Sequence, residues 1–294
     1  MMWVLITVAA TIFQIGRTSE QHRLRSLLGV SEAGYARFFY AFPLAALVTT
    51  AWMLGPGNLP RPGPTFFFAV TAAGILQILG TVSLLQSFRM RDFAVGTIYS
   101  KTEVLFVGIA SALILREPLG WLSWVGAIVC LAGVAWLASG GTLRQRLLEG
   151  FDPAARYGVF AAIAFGLTAV GIRGASSSLD GDALDRALLT LAVMLGVQAT
   201  VQGLALARSR TSSVRAVGRA WRQAGTVGIL SLSGSAAWAL AMTLENAARV
   251  RTLGQIEIVF AFAIGVIVHR EAHRRDEYLA AAIVAAGITL LILA

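Results

Sequence analysis

Ten apolar stretches, most of them near the length that crosses a bilayer, take up almost the whole chain: residues 2–16, 35–54, 65–88, 94–115, 119–138, 157–175, 183–206, 221–244, 249–268 and 278–294. About 20 apolar residues in a helix cover the hydrocarbon core. The connections between stretches are short, so no length remains for a soluble domain. Backbone in lipid must satisfy its own hydrogen bonds, which restricts such segments to helices. Composition agrees. The chain is 57% hydrophobic and 13% charged, against about 25% charged in a soluble domain. The first stretch has neither the basic leader nor the small-residue cleavage site of a secretory signal, so it is read as a membrane helix.

Within this frame the net charge of +9, carried by arginine almost alone, belongs to loops. No nucleic-acid motif accompanies it, and the expected partners are the lipid bilayer and a small-molecule substrate, not nucleic acid. The single cysteine, Cys130, lies in an apolar run. It can form no disulfide within the chain and reads as a packed core residue.

Displaced by 154 residues, the chain matches itself without a gap. Residues 74–76 and 228–230 both read GIL, Glu103 falls on Glu257, Phe106 on Phe260, and Arg116-Glu117 on Arg270-Glu271. In this composition coincident Ala, Gly and Leu mean little, but coincident acids inside apolar runs mean more. The pattern predicts a duplication: a first five-helix repeat in 1–138, a linker at 139–156 and a second repeat in 157–294. The linker, SGGTLRQRLLEGFDPAAR, has the Gly, Pro and charge of a boundary. Among the earlier helices, YARFFY at 35–40 resembles LDRALL at 184–189, which sets Arg37 against Arg186. An odd number of crossings inserts the second copy upside down. The expected fold is therefore an all-α integral membrane protein of ten transmembrane helices in two inverted repeats, an arrangement typical of secondary transporters.

The stretch TEVLFVGIASALILREPLGWLSWVGAIVCLAGVAWL, residues 102–137, resembles the second half of an EamA repeat, the unit of a large branch of the drug/metabolite transporter superfamily. Glu103 and Arg116-Glu117-Pro118 stand where that repeat carries its helix-4 acid and the turn into helix 5; Glu257 and Arg270-Glu271 repeat them. Two positions depart from the pattern: Val104 replaces the usual proline, and the first helix lacks the Trp-x-x-Asn-like signature. The resemblance implies export of small metabolites, amino-acid-like or cationic, from the cell (inner) membrane by a monomer or homodimer, with no cofactor.

Glu103 lies 11 residues after Asp92 and 13 before Arg116, roughly 17 and 20 Å along a helix. Both it and Glu257 are thus expected near the bilayer centre, where a charge costs about 2.5–3.5 kcal/mol on insertion scales. By inverted symmetry they should face one cavity. The bland alternative is an acid that is protonated and bonded to a neighbouring helix, or one that neutralises a cation. Lys101 cannot face Glu103 from two residues away, so its partner is expected on another helix or in the cavity. Three mechanisms stay open: the acids bind a cation, one of them exchanges a proton, or Lys101 and a Glu hold the two ends of an amino-acid-like solute. Tyr99, Gln77, Gln255, Trp238 and Asn246 are the polar side chains expected to line the same space. Arg249 and Arg251 are expected to snorkel to the interface, and LREP at 115–118 and HRE at 269–271 to form turns and caps. Gly126, Gly133, Ala280 and Gly287, with Ser231 and Ser235, should permit close helix contacts.

Loop arginines number sixteen on one side of the predicted topology and five on the other. Positive charge favours the cytoplasm, which places both termini outside. An enzyme is not expected. HREAH at 269–273 spaces two histidines as metal ligands would be, but Glu271 is misplaced for the H-E-x-x-H zinc pattern. No nucleophile or phosphate-binding motif is present, so no catalytic or metal-binding residue is assigned. A membrane receptor or assembly protein, and a channel or lipid scramblase, are the other readings.

Overall fold

The computed structural model describes residues 1–28, 30–90, 98–139, 153–209, 214–267 and 275–294. Among these residues the protein is helical, with no strand. The helices are α1 (Met2–Leu28), α2 (Val30–Leu54), α3 (Pro64–Met90), α4 (Glu103–Ala110, followed by a π-helical turn Ser111–Leu115), α5 (Trp121–Ser139), α6 (Pro153–Ser177), α7 (Ala183–Arg208), α8 (Val214–Arg219), α9 (Trp221–Leu244), α10 (Ala247–Gly254), α11 (Ile256–Ile267) and α12 (Arg275–Leu293). Eight helical segments among the described residues are long and apolar enough to cross a membrane, and Trp121–Leu137 is apolar but shorter. They follow the apolar stretches closely. The exception is residues 249–268, which a turn at Gln255 divides into α10 and α11. The HRE motif and the two histidines of HREAH fall at 269–273, outside the described residues.

The chain forms two compact units, and neither is a sequence half. Unit 1 is Met1–Ile75 with Gly171–Leu244; unit 2 is Leu76–Val170 with Glu245–Ala294. Each draws on both sides of the 139–156 linker.

Unit 1 is built on α1, α2, α7 and α9. Helix α1 continues well past its apolar stretch, and α1 and α2 form a hairpin in which Gln21 Nε2 donates to the Ala33 carbonyl at 3.0 Å. Helices α2 and α7 run antiparallel: Gly203 faces Tyr35 and Gly196 faces Phe42, and Thr49 Oγ1 donates to the Leu188 carbonyl at 3.3 Å. At the far end the buried Asp185 receives Trp52 Nε1 at 2.7 Å and the Asn58 amide at 3.1 Å, which clasps the loop after α2. At the other end Leu24, Tyr35, Leu206, Val217 and Val227 form a shared core, and the Tyr40 hydroxyl donates to the Val217 carbonyl at 3.0 Å.

In unit 2, α5 and α12 pack backbone to backbone. A Cβ on Gly126 would stand 2.8 Å from the Gly287 carbonyl oxygen, one on Gly133 2.7 Å from the Val284 amide nitrogen, and one on Gly287 2.4 Å from the Cys130 amide nitrogen. Lipid gives helices no hydrophobic reason to associate, so contacts of this closeness are what hold them. The small residues expected at helix crossings in this pair are at the crossings. Cys130 is wholly buried, as a core residue should be.

Candidate functional site

Two broken helical segments in unit 2 position the intramembrane charges. Residues 98–101 are helical, Thr102 forms a turn, and α4 begins at Glu103. In the other segment α10 ends at Gly254, Gln255 forms the turn, and α11 begins at Ile256. The two turns share one geometry. Thr102 sits at φ −63°, ψ −7° and Gln255 at φ −63°, ψ −11°. In both, the ladder tightens from four residues to three. The Thr102 amide donates to the Tyr99 carbonyl and the Leu105 amide to that of Thr102; the Gln255 amide donates to the Thr252 carbonyl and the Ile258 amide to that of Gln255.

No proline makes the first break. The Thr102 hydroxyl donates to the Tyr99 carbonyl at 2.6 Å, a local side-chain bond of the kind that competes with the helical ladder and bends it. In α10 the Thr252 hydroxyl donates to the Ala248 carbonyl at 2.8 Å, four residues back. The segments start differently. Asn246 caps α10, its Oδ1 accepting from the Ala248 amide at 2.8 Å, as N-cap asparagines do. Segment 98–115 closes through the π-turn, with Arg116 in the left-handed conformation (φ 56°) as its C-cap.

The breaks bring four charged side chains into two ion pairs, each joining the two segments. Lys101 Nζ bonds Glu257 Oε1. Arg251 Nη2 bonds Glu103 Oε1 at 2.5 Å. The Glu103 side chain is 3% exposed and its partner 21%, while Lys101 and Glu257 are 16% and 19% exposed. Charges of this kind are tolerated in a membrane protein when they are paired and turned from lipid. The Arg251–Glu103 pair is thus the enclosed one, and Lys101–Glu257 the more accessible. Gln255, at the second turn, is buried; its Nε2 donates to the Arg251 carbonyl at 3.3 Å while its Oε1 has no partner among the described residues.

Lys101 does find its partner on another segment, as expected from its spacing. One expectation needs correction. Arg251 does not snorkel to an interface; it is the counterion of Glu103. Its role is invisible in the sequence, because a partner 148 residues away leaves no local pattern. Arg249, its neighbour, donates to the Leu291 carbonyl at 3.2 Å and pairs with Glu245 at 3.6 Å. Trp238 belongs to unit 1, where its indole donates to Gln14 Oε1 at 3.1 Å. Asn246 is in unit 2 but is occupied as a cap; its Nδ2 also donates to the Glu117 carbonyl at 3.1 Å. Tyr99 and Gln255 lie at the breaks themselves. Gln77 is partly buried in the unit-2 part of α3, its carbonyl receiving the Thr81 hydroxyl at 2.8 Å.

The arrangement binds charge without net charge: two cations and two anions, close-paired, at the two points where unit-2 helices are interrupted. Among the described residues no group of His, Cys, Asp or Glu is disposed to hold a metal ion.

No curated protein matches the sequence. Among solved structures, one crystal structure is similar over 99% of this chain and 97% of its own, with a TM-score of 0.69 and 17% identity, which shows a shared fold. Residues 1–139, a little under half of the chain, are similar to the model of the EamA-like transporter family.

Proposed function

We propose that the protein is a secondary transporter, and an exporter, of amino-acid-like zwitterions, working by alternating access between two inverted five-helix repeats. The observation that carries this reading is the Lys101–Glu257 pair at the paired helix breaks. Separating a half-buried ion pair leaves two charges uncompensated, which is costly. A zwitterion offsets both at once, its carboxylate taking Lys101 and its ammonium taking Glu257. A simple cation or anion satisfies one of the two and strands the other. Discontinuous helices beside charged side chains are how transporters of known mechanism present a binding site. In this reading Glu103 and Arg251 fix the segments, Tyr99, Gln77 and Gln255 supply polar lining, and protonation of Glu257 is the step through which a proton gradient would drive export.

Counterflow in proteoliposomes tests it. Wild-type protein should show saturable exchange of neutral amino acids, with weaker exchange of amino alcohols and of carboxylic acids that lack the amine. Lys101→Gln and Glu257→Gln should abolish it while the purified variants remain folded. Undiminished counterflow in both variants would exclude the site; absence of any saturable flux in wild type would favour a receptor, channel or scramblase. The Arg-rich loops are taken as cytoplasmic and both termini as external, by the preference of positive charge for the cytoplasm. A C-terminal alkaline phosphatase fusion should then be active, and a fusion active only in the cytoplasm should not.

A further inference from the structure

The joint between α8 and α9 carries arginine and no acid. From Arg186 to Leu244 the sequence has neither Asp nor Glu, yet Arg215, Arg219 and Arg222 fall within one short stretch of it. The helical ladder runs through the joint. The Ala220 amide donates to the Ala216 carbonyl at 3.2 Å, and the Ala224 amide to the Ala220 carbonyl at 2.9 Å. Val217, Ala224 and Val227 are buried in the unit-1 core and mark the inward face. At about 100° per residue the three arginines lie roughly 140–200° round from Val217, in a stripe about 60° wide. All three are exposed. Helix α8 is held in place from α2: the Tyr40 hydroxyl donates to the Val217 carbonyl at 3.0 Å, with that of Gly218 at 3.3 Å.

Among the described residues no carboxylate stands within ion-pair distance of any of the three. Arg222 lies over the Trp221 ring, 5.3 Å from Cζ to centroid, but a ring face accepts none of the N–H donors of a guanidinium. Arg215 and Arg219 are four residues apart and Arg219 and Arg222 three, spacings at which like charges destabilise a helix. Helix α8 has only six residues, too few to be stable unaided. An external anion removes the repulsion. Holding one end of a span in the cytoplasm requires positive charge in the loop; it does not require that the charges share one face of an anchored helix.

We propose that Arg215, Arg219 and Arg222 form a docking face for the phosphodiester headgroup of an acidic phospholipid. The level in the membrane identifies the occupant. Trp221 is exposed and opens the span Trp221–Leu244, where an indole sits at the bilayer interface. Arg219 and Arg215 stand two and six residues before it, roughly 3 and 9 Å outward along the helix axis. Arg222 is one residue inside and reaches outward. The headgroup layer covers about 5–7 Å on each side of the hydrocarbon core, so the stripe crosses the level of the lipid phosphates. A guanidinium fork takes two oxygens of one phosphate, and basic side chains beside a span attract acidic lipids. The face lies in unit 1 and does not rest on the zwitterion reading of unit 2.

The test uses full-length protein in symmetric phosphatidylcholine vesicles at constant ionic strength. Brominated phosphatidylglycerol is raised in one series and brominated phosphatidylcholine in the other. Bromine quenches tryptophan at short range, and the difference between each protein and its Trp221→Phe counterpart isolates Trp221. Both leaflets are alike, so the direction of insertion does not enter. In wild type Trp221 should be quenched saturably and preferentially by phosphatidylglycerol. Arg219→Gln should lower the relative affinity about fivefold, the equivalent of about 1 kcal/mol for a basic residue at the surface. Removing all three arginines in the same way should abolish the preference. Arg222→Gln/Gln223→Arg keeps the net charge and moves one arginine about 100° off the stripe; it should lose as much as Arg222→Gln alone. These side chains are exposed, so folding should be unaffected. Equal quenching by the two lipids in wild type, or undiminished preference in Arg222→Gln/Gln223→Arg, overturns the proposal.

Discussion

Replacing Glu103 with Gln removes one charge from the most enclosed ion pair in the described structure and changes little else in volume. The pair is close, 2.5 Å from Arg251 Nη2 to Glu103 Oε1, and the Glu103 side chain is 3% exposed. Two unit charges about 4 Å apart attract by about 4 kcal/mol at an effective dielectric constant near 20, and deleting one partner of a buried pair costs about 3–5 kcal/mol because the other stays charged and desolvated. Gln keeps an acceptor for the guanidinium, which puts Glu103→Gln at the lower end, about 3 kcal/mol. Arg251→Gln, which strands the carboxylate, should cost about as much. The double variant replaces two charges by two amides able to bond one another, so its cost should fall well short of the sum, with a coupling of at least about 2 kcal/mol. Equilibrium unfolding in mixed micelles, with rising dodecyl sulfate and tryptophan fluorescence as the probe, measures all three. Costs that add to within about 0.5 kcal/mol would mean that the two side chains do not depend on one another, and the site would lose its framework.

The more accessible pair should matter less to folding and more to flux: Lys101→Gln or Glu257→Gln should lose about 1–2 kcal/mol in the same titration. A loss equal to that of Glu103→Gln would contradict the division of roles. Gly287→Ala should destabilise by about 1–3 kcal/mol, since its Cβ would meet the Cys130 backbone; Gly120→Ala, with nothing within 4 Å, should stay within about 0.5 kcal/mol. Thermal unfolding of the two side by side checks the α5–α12 contact. Asp185→Asn presents an amide that can accept from Trp52 or from the Asn58 amide but not from both, and should cost about 1–3 kcal/mol with earlier proteolysis in the loop after α2. Unchanged cleavage there would refute the clasp.

Hydropathy alone located the helices, because crossing a bilayer demands an apolar run of fixed length whatever the helix packs against. The stretch from 249 to 268 reads as one continuous helix because Gly254, the one break signal beside the turn, is a residue that membrane helices often carry. Thr102 is neither Gly nor Pro and gives no break signal. Lys101 was readable as needing a distant partner, since geometry forbids Glu103. Arg251 was not, because six residues before Glu257 it looks like an interfacial arginine until the segment carrying Glu103 is beside it. Trp238 and Asn246 were chosen for polarity, and each spends that polarity locally, on Gln14 and on the first turn of α10. The displaced self-match carries no information on which segments become neighbours, and each compact unit contains residues from both sides of the 139–156 linker.

A proline interruption is permanent, since its ring blocks the ladder whatever the surroundings do. At residue 102 the interruption rests instead on a hydroxyl holding the Tyr99 carbonyl, a bond worth about 1 kcal/mol net. The same carbonyl also accepts from the Thr102 amide, so rotation of that one side chain removes one of the two bonds that fix the turn. Lys101 and Glu103 stand on the two sides of residue 102 and each holds a partner on the other segment, so the bend and the two ion pairs support one another. Threonine in place of proline therefore makes the bend depend on side-chain bonds and not on covalent structure.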